Sequence, residues 1–184
     1  MQAALDILEE QGLAALTLRA AARRAGVSHA APYHHFADKE AILAAVAARG
    51  FRMQSQAMEA AARNAPRPTD GLQAYGLTYA TFAQAHPSLF RLMYTREHSI
   101  PHATPEVVEA SKQIYPNLVE GICQTTGCSQ DQAHGIALVL WSTLHGLAML
   151  WLDGQLHGTG ATSIDTLAYD VTELLGRILT PPTT

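Results

Sequence analysis

TLRAAARRAGVSHAAPYHHF, running from Thr17 to Phe36, carries the punctuation of two short helices around a tight turn. Thr17 is placed to N-cap the first helix, whose apolar positions are Leu18, Ala21, Ala22 and Ala25. Gly26 falls where the chain must enter the left-handed region, which glycine does without a Cβ penalty. Val27 is expected to plug inward, and Ser28 to cap a second helix carrying His29 to His35. Arg23 and Arg24 precede the turn and a polar, His-rich segment follows it, the arrangement of helix-turn-helix DNA binding. An ordinary helical hairpin is the plainer alternative for a Gly-Val-Ser turn alone.

Outward from this stretch, Gln2 to Glu10 reads as a helix with Ala4, Leu5 and Leu8 on one face and Ile7 near its edge, ending by Gly12. On the other side, Asp38 is an N-cap candidate with Glu40 in the first turn. The helix that follows is apolar at Ile42, Leu43, Val46, Phe51 and Met58, and its length suits a connector. Gly50 weakens its middle by up to about 1 kcal/mol relative to Ala, which leaves room for a bend there.

The longer string T-L-R-x-x-A-x-x-A-G-V-S-x-x-x-x-Y-x-H-F-x-D-K-E-x-(I/L)-L resembles the DNA-binding domain of the TetR/AcrR family of one-component bacterial repressors. The match runs from about Ala4 to Phe51. The resemblance implies DNA-backbone contacts from Tyr33, Lys39 and Thr17, with Arg19 beside them. It also implies a recognition segment of Ser28, His29, Ala30, Ala31, Pro32, Tyr33, His34 and His35. His29 and the methyls of Ala30 and Ala31 suit base edges and thymine methyls; His34 suits a phosphate or a base. Phe36 is assigned to the core. Pro32 departs from the commoner leucine, removes a backbone donor and should tighten the start of its helix. Family members usually carry a short basic arm before the first helix. Here Met1 falls inside that helix, so either the arm is lacking or the recorded start is late.

The chain has 184 residues, 48% hydrophobic and 15% charged, a globular composition with room for one or two cores. Residues 1–52 hold six basic residues (Arg19, Arg23, Arg24, Lys39, Arg49, Arg52) against five acidic ones (Asp6, Glu9, Glu10, Asp38, Glu40). That net +1 leaves −5 for the remainder of the −4 total, an asymmetry in the direction phosphate binding requires. No signal peptide is read in MQAALDILEE, and two cysteines, Cys123 and Cys128, do not form a secreted framework. The apolar run Ile136 to Leu152 contains Ser142, Thr143 and His145 and is shorter than the roughly 20 residues of a membrane span, so a buried helix is expected. The expected location is cytoplasmic, without a membrane partner.

Pro66 to Gly71, PRPTDG, reads as a linker, with Thr69 capping a helix that carries Leu72, Tyr75, Leu77, Tyr79 and Phe82. Pro87 opens a short helix, SLFRLMYT, followed by a loop through Ile100 to Ala103. Thr104-Pro105-Glu106 starts a helix to about Thr126 that Pro116 should kink or split. Ser129 to Gln132 is a capping box for a helix to about Leu156. A glycine-rich turn to Ala161 precedes a last helix capped by Ser163 or Thr162. Its apolar positions are Ile164, Leu167, Ala168, Val171, Leu174, Leu175 and Ile178, and Pro181-Pro182 ends it. The expected fold is therefore all-α, an N-terminal three-helix helix-turn-helix domain over 1–52 joined by a connector helix to a helical bundle over 53–184.

A helix apolar nearly all round needs cover on every side, part of which a second subunit can supply through the last two helices. The TetR resemblance implies the same homodimer. A second resemblance supports it: WSTLHGL, Trp141 to Leu147, with HPSLFRLMY, His86 to Tyr94, is similar to the TetR C-terminal domain class named for its Trp, His and Gly.

His145, beside Gly146, reads as a core histidine bonded to a backbone or hydroxyl group, or as the polar anchor of a ligand pocket. Tyr75, Tyr79, Phe82, Phe90, Met93, Tyr94, Trp141 and Met149 are the remaining candidates for lining such a pocket. No metal or other cofactor is expected: Pro101 separates His98 from His102, and Cys123, Cys128 and His134 straddle a helix end. The functional expectation is a ligand-responsive repressor that binds a pseudo-palindromic, double-stranded operator as a homodimer and is released by a small apolar or aromatic effector. The rivals are a dimeric DNA-binding protein whose body binds no ligand and a small helical enzyme built on His145 and Asp153 or the Cys–His group. No nucleophile elbow, phosphate loop or metal-binding helix supports an enzyme.

Overall fold

The computed structural model describes residues 1–94, 104–156, 158, 160 and 163–179. Every regular element among them is helical: α1 (Gln2–Gln11), α2 (Leu18–Ala25), α3 (Lys39–Asn64), α4 (Pro68–Ala85), α5 (Pro87–Tyr94), α6 (Pro105–Ser111), α7 (Ile114–Thr126), α8 (Gln130–Leu152) and α9 (Ile164–Leu179). Short 3-10 turns occupy Leu13–Ala15 and Ala31–His34. His98, Ile100 to Ala103, Thr162 and Pro181-Pro182 lie outside the described residues.

The helices gather into two compact units, Met1–Met53 with His86–Lys112, and Gln54–Ala85 with Gln113–Thr184. A packing unit thus takes a later segment, α5 and α6, together with the N-terminal helices. In unit 1, Ala4, Leu5, Ile7 and Leu8 of α1 are buried with Leu18, Ala21 and Ala22 of α2. Ile42, Leu43, Val46 and Phe51 complete this core from α3, and Leu89, Phe90, Leu92 and Met93 from α5. Gly50 lies within the continuous helix α3 and is a place of close approach. A Cβ there would lie 2.5 Å from the Met93 sulfur and 2.9 Å from Leu89. Glu9 reaches the start of α5, accepting the Ser88 N–H at 3.3 Å and lying 3.5 Å from His86 Nδ1.

Unit 2 is built from α4, α7, α8 and α9 with the last turns of α3. The helix expected from Thr104 to Thr126 is split into α6 and α7, because the Pro116 ring excludes a helical carbonyl four residues earlier. Pro116 itself sits in the first turn of α7, where its missing N–H costs nothing. Gly127, at φ 70°, closes α7, and the Ser129–Gln132 capping box opens α8. The linker is shorter than PRPTDG suggests: α4 begins at Pro68, so Thr69 lies inside the first turn instead of capping it. Ser163 caps α9 by accepting the Thr166 N–H at 3.2 Å.

α8 is not the fully buried helix expected. It spans 23 residues and ends at Leu152, so by length and composition it is long enough to cross a membrane. Only the stripe Ala133, Ala137, Leu140, Leu144 and Ala148 is buried. Leu138, Val139, Trp141 and Leu150 are exposed, as are Tyr169 and Leu174 of α9, so one chain leaves an apolar face of each helix uncovered.

Candidate DNA interface and effector site

The Thr17 hydroxyl accepts the Ala20 N–H at 3.0 Å, fixing the start of α2. At the other end Gly26, at φ 68° and ψ 26°, reverses the chain while the Val27 N–H bonds back to the Ala22 carbonyl at 3.1 Å. Arg24 is committed internally, forking onto both Glu10 oxygens at 2.5 and 2.6 Å. Arg19, Arg23 and Lys39 are exposed.

The recognition segment differs from the second helix expected. Pro32 lacks the N–H that an α-helix from Ser28 would need, and the backbone bonds contract to the 3-10 pattern. Ala31 N–H bonds to Ser28 O, Tyr33 N–H to Ala30 O and His35 N–H to Pro32 O. Ser28 therefore caps no α-helix. Pro32 also takes the inward place expected of Val27: Pro32 is buried, Val27 is 49% exposed, Ala25 is exposed and Phe36 is half-buried. Pro32 is consequently a support of this surface and not a group that reaches from it. Ser28, His29, Ala30, Tyr33, His34 and His35 are exposed, with Ala31 half-buried. Asp38 Oδ1 accepts the Ala41 N–H at 2.8 Å, which sets Lys39 at the first turn of α3.

The nine effector candidates divide between the units. Phe90, Met93 and Tyr94 belong to unit 1, where Tyr94 packs edge-on to Phe51 at 5.3 Å and against Phe90 at 4.8 Å. The others lie in unit 2, and three of them form a hydrogen-bonded chain. Trp141 Nε1–H donates to Tyr79 Oη at 3.4 Å, and Tyr79 lies 2.8 Å from His145 Nδ1. The indole can only donate, so Tyr79 Oη accepts from it, while the donor in the Tyr79–His145 bond depends on the imidazole tautomer. Burial pushes the His145 pKa down, which favours the neutral imidazole. Tyr115, which sequence reasoning missed, extends the cluster: it stacks on His134 at 5.7 Å and meets Trp141 edge-on at 6.1 Å. Phe82 is buried, and Met149 is half-buried.

This arrangement fixes a pH dependence. An unfolded histidine titrates near about 6.5, whereas the folded His145 stays neutral to lower pH. Stability from this site is complete above the unfolded value and is lost as pH falls below it, because the unfolded chain takes the proton first. Thermal melting between pH 7.5 and 5.5 should fall more steeply for the wild type than for His145→Gln, whose amide can accept from or donate to Tyr79 and does not titrate. Equal acid slopes would remove His145 from this role.

Among the described residues of unit 2, two cavities are notable. The first, about 670 Å³, lies among the end of α3, the start of α4 and α7, and includes Glu59, Arg63, Tyr75, Asn117 and Gly121. The second, about 520 Å³, is bounded by Ile122, Ile136, Leu140, Tyr169 and Gly176. Both fall in the size range of small-molecule sites. Of the aromatic candidates, Tyr75 borders the first cavity. Asn117 and Gly121 carried no signal as single residues; their i, i+4 spacing on α7 is what sets them on one face.

A capped helix, a left-handed glycine corner and an exposed polar turn define a helix-turn-helix DNA-binding regulator. Residues 1–46 match the family described as bacterial regulatory proteins, tetR family, and residues 72–175 match the tetracyclin repressor-like C-terminal domain. The chain belongs to the TetR family of transcriptional regulators, whose members are not enzymes. A Rhodococcus sp. RHA1 protein of unknown function is 36% identical, with 96% of this chain and 91% of that chain covered and a TM-score of 0.81. The TetR-family regulator PfmR of Thermus thermophilus shares the fold at 20% identity, TM-score 0.69, with 96% of each chain covered. The ketosteroid transcriptional regulator KstR2 of Mycobacterium tuberculosis does so at 17% identity, TM-score 0.65, covering 95% of this chain and 89% of that one. No curated protein gives a significant match.

Proposed function

We propose that this chain is a homodimeric, effector-released repressor that works in the cytoplasm. The observation that carries the reading is that His29, Tyr33, His34 and His35 are exposed, as are Arg19 and Lys39, in a chain whose α8 and α9 leave Leu138, Val139, Trp141 and Leu174 uncovered. A second copy placed on α8 and α9 covers those side chains and supplies the second recognition turn. Thr17, Arg19, Tyr33 and Lys39 hold the DNA backbone; His29, Ala30, Ala31 and His34 meet base edges. An effector that favours one conformation of the body changes the spacing of the two recognition turns through α3 and releases DNA.

Selection of bound fragments from a random duplex pool tests this reading. The expected product is an inverted repeat whose half-site centres lie about 34–36 Å apart, or a multiple of that, with two chains per site. A pool that shows no sequence enrichment would overturn it.

A further inference from the structure

We propose that Cys123 and Cys128 are a redox-reactive pair, a modification site at which a low-molecular-weight disulfide oxidises both thiols to one intrachain disulfide. The pair is built by the end of α7. Gly127 adopts φ 70° and ψ 9°, and its N–H bonds to the Cys123 carbonyl at 2.9 Å. Cys123 stands four residues before this left-handed glycine and Cys128 one after it, positions whose side chains meet across such a helix end. Their thiols accordingly lie in hydrogen-bond contact. The Thr126 hydroxyl holds the corner from both sides, donating to the Ile122 carbonyl at 2.9 Å and accepting the Cys128 N–H at 3.2 Å. Ile122 is fully buried and anchors this turn, whereas both cysteines are free and half-buried, within reach of a small solute.

Proximity selects the chemistry. Metal binding would need further ligands, and among the described residues no group of three or more His, Cys, Asp and Glu could hold an ion. Burial, with Cys128 beside it, pushes the Cys123 thiol up, which makes Cys123 a poor first nucleophile and assigns the first attack to Cys128. The Cys128 thiol loses its proton to water and attacks one sulfur of the small disulfide, whose other half leaves as a thiolate and takes up a proton. Cys123 loses its proton in turn and attacks Cys128 Sγ, releasing the second half in the same way. Two protein thiols are oxidised by two electrons, and one small disulfide is reduced to two small thiols. The new bond ties Cys128, the residue before the Ser129 cap of α8, to the last turn of α7.

Equilibration of the full chain with glutathione and glutathione disulfide at a series of ratios, followed by alkylation and intact-mass measurement, tests the pair. Chains are expected to pass from both cysteines alkylated to neither, with unchanged single-chain mobility on denaturing, non-reducing gels. Dithiothreitol should restore both thiols. Cys123→Ser and Cys128→Ser leave nothing to resolve the mixed disulfide, so each should carry about tenfold more glutathione adduct than the wild type at the same ratio. The wild-type titration decides alone if circular dichroism shows that a serine variant does not fold. A wild type that accumulates as much adduct as the folded variants, a disulfide between two chains, or two alkylated thiols at every ratio would overturn the proposal. Operator selection is run under reductant, so these failures would leave the regulator reading standing.

Discussion

Leu138→Glu combined with Leu174→Glu is expected to yield a folded monomer whose affinity for operator DNA is lower by about 10²- to 10⁴-fold. The two leucines are 55% and 58% exposed in one chain, so glutamate disturbs little in the isolated fold. In a two-fold dimer each substitution occurs twice, and four carboxylates would enter an apolar interface. Each uncompensated burial costs several kcal/mol, far more than the roughly 1.5–3 kcal/mol gained by burying each leucine. DNA affinity falls without any change in the recognition turn, because one head loses the effective concentration supplied by the other. Sedimentation shows the mass and anisotropy the binding. A double variant that remains dimeric would place the subunit contact elsewhere.

Tyr33→Ala combined with Lys39→Ala is expected to weaken binding to all duplexes alike, by roughly 10- to 100-fold, without changing the preferred sequence. Each dimer would lose two lysines, so the slope of log K against log salt should become shallower by about two units. His29→Ala should do the reverse, altering the preferred base by about 1–3 kcal/mol while the slope stays put. These opposite signatures arise because Lys39 stands on the first turn of α3 while His29 lies in the exposed turn ahead of Pro32. If Lys39 proved silent in the slope, the α3 N-terminus would not lie on the phosphates.

What could be read from the sequence was local. Thr17, Asp38, Ser129 and Ser163 cap helices because a short oxygen-bearing side chain stands before an apolar periodic run. Gly26 turns left-handed for the reason its position gives. The head motif carried the family as well, through residue type and spacing together. Errors came where tertiary packing chose between local options. Val27 looked like a core residue until Pro32 shortened the turn and took the buried place. Gly50 read as a weak point, yet its role is to admit Met93 and Leu89. The division of Phe90 and Tyr79 between two units, and the cavity at Gly121, depend on which helices meet. Periodicity along one helix does not state its partner.

The central claim is that two copies of Thr17–Lys39 read one DNA duplex. Its most direct test is a salt titration of the full chain on its selected operator, with stoichiometry measured at each point. Two chains per duplex are expected, with log K falling linearly with log salt by several units and affinity well above that for a scrambled duplex. Binding with neither salt dependence nor preference for the operator over the scrambled duplex would contradict it.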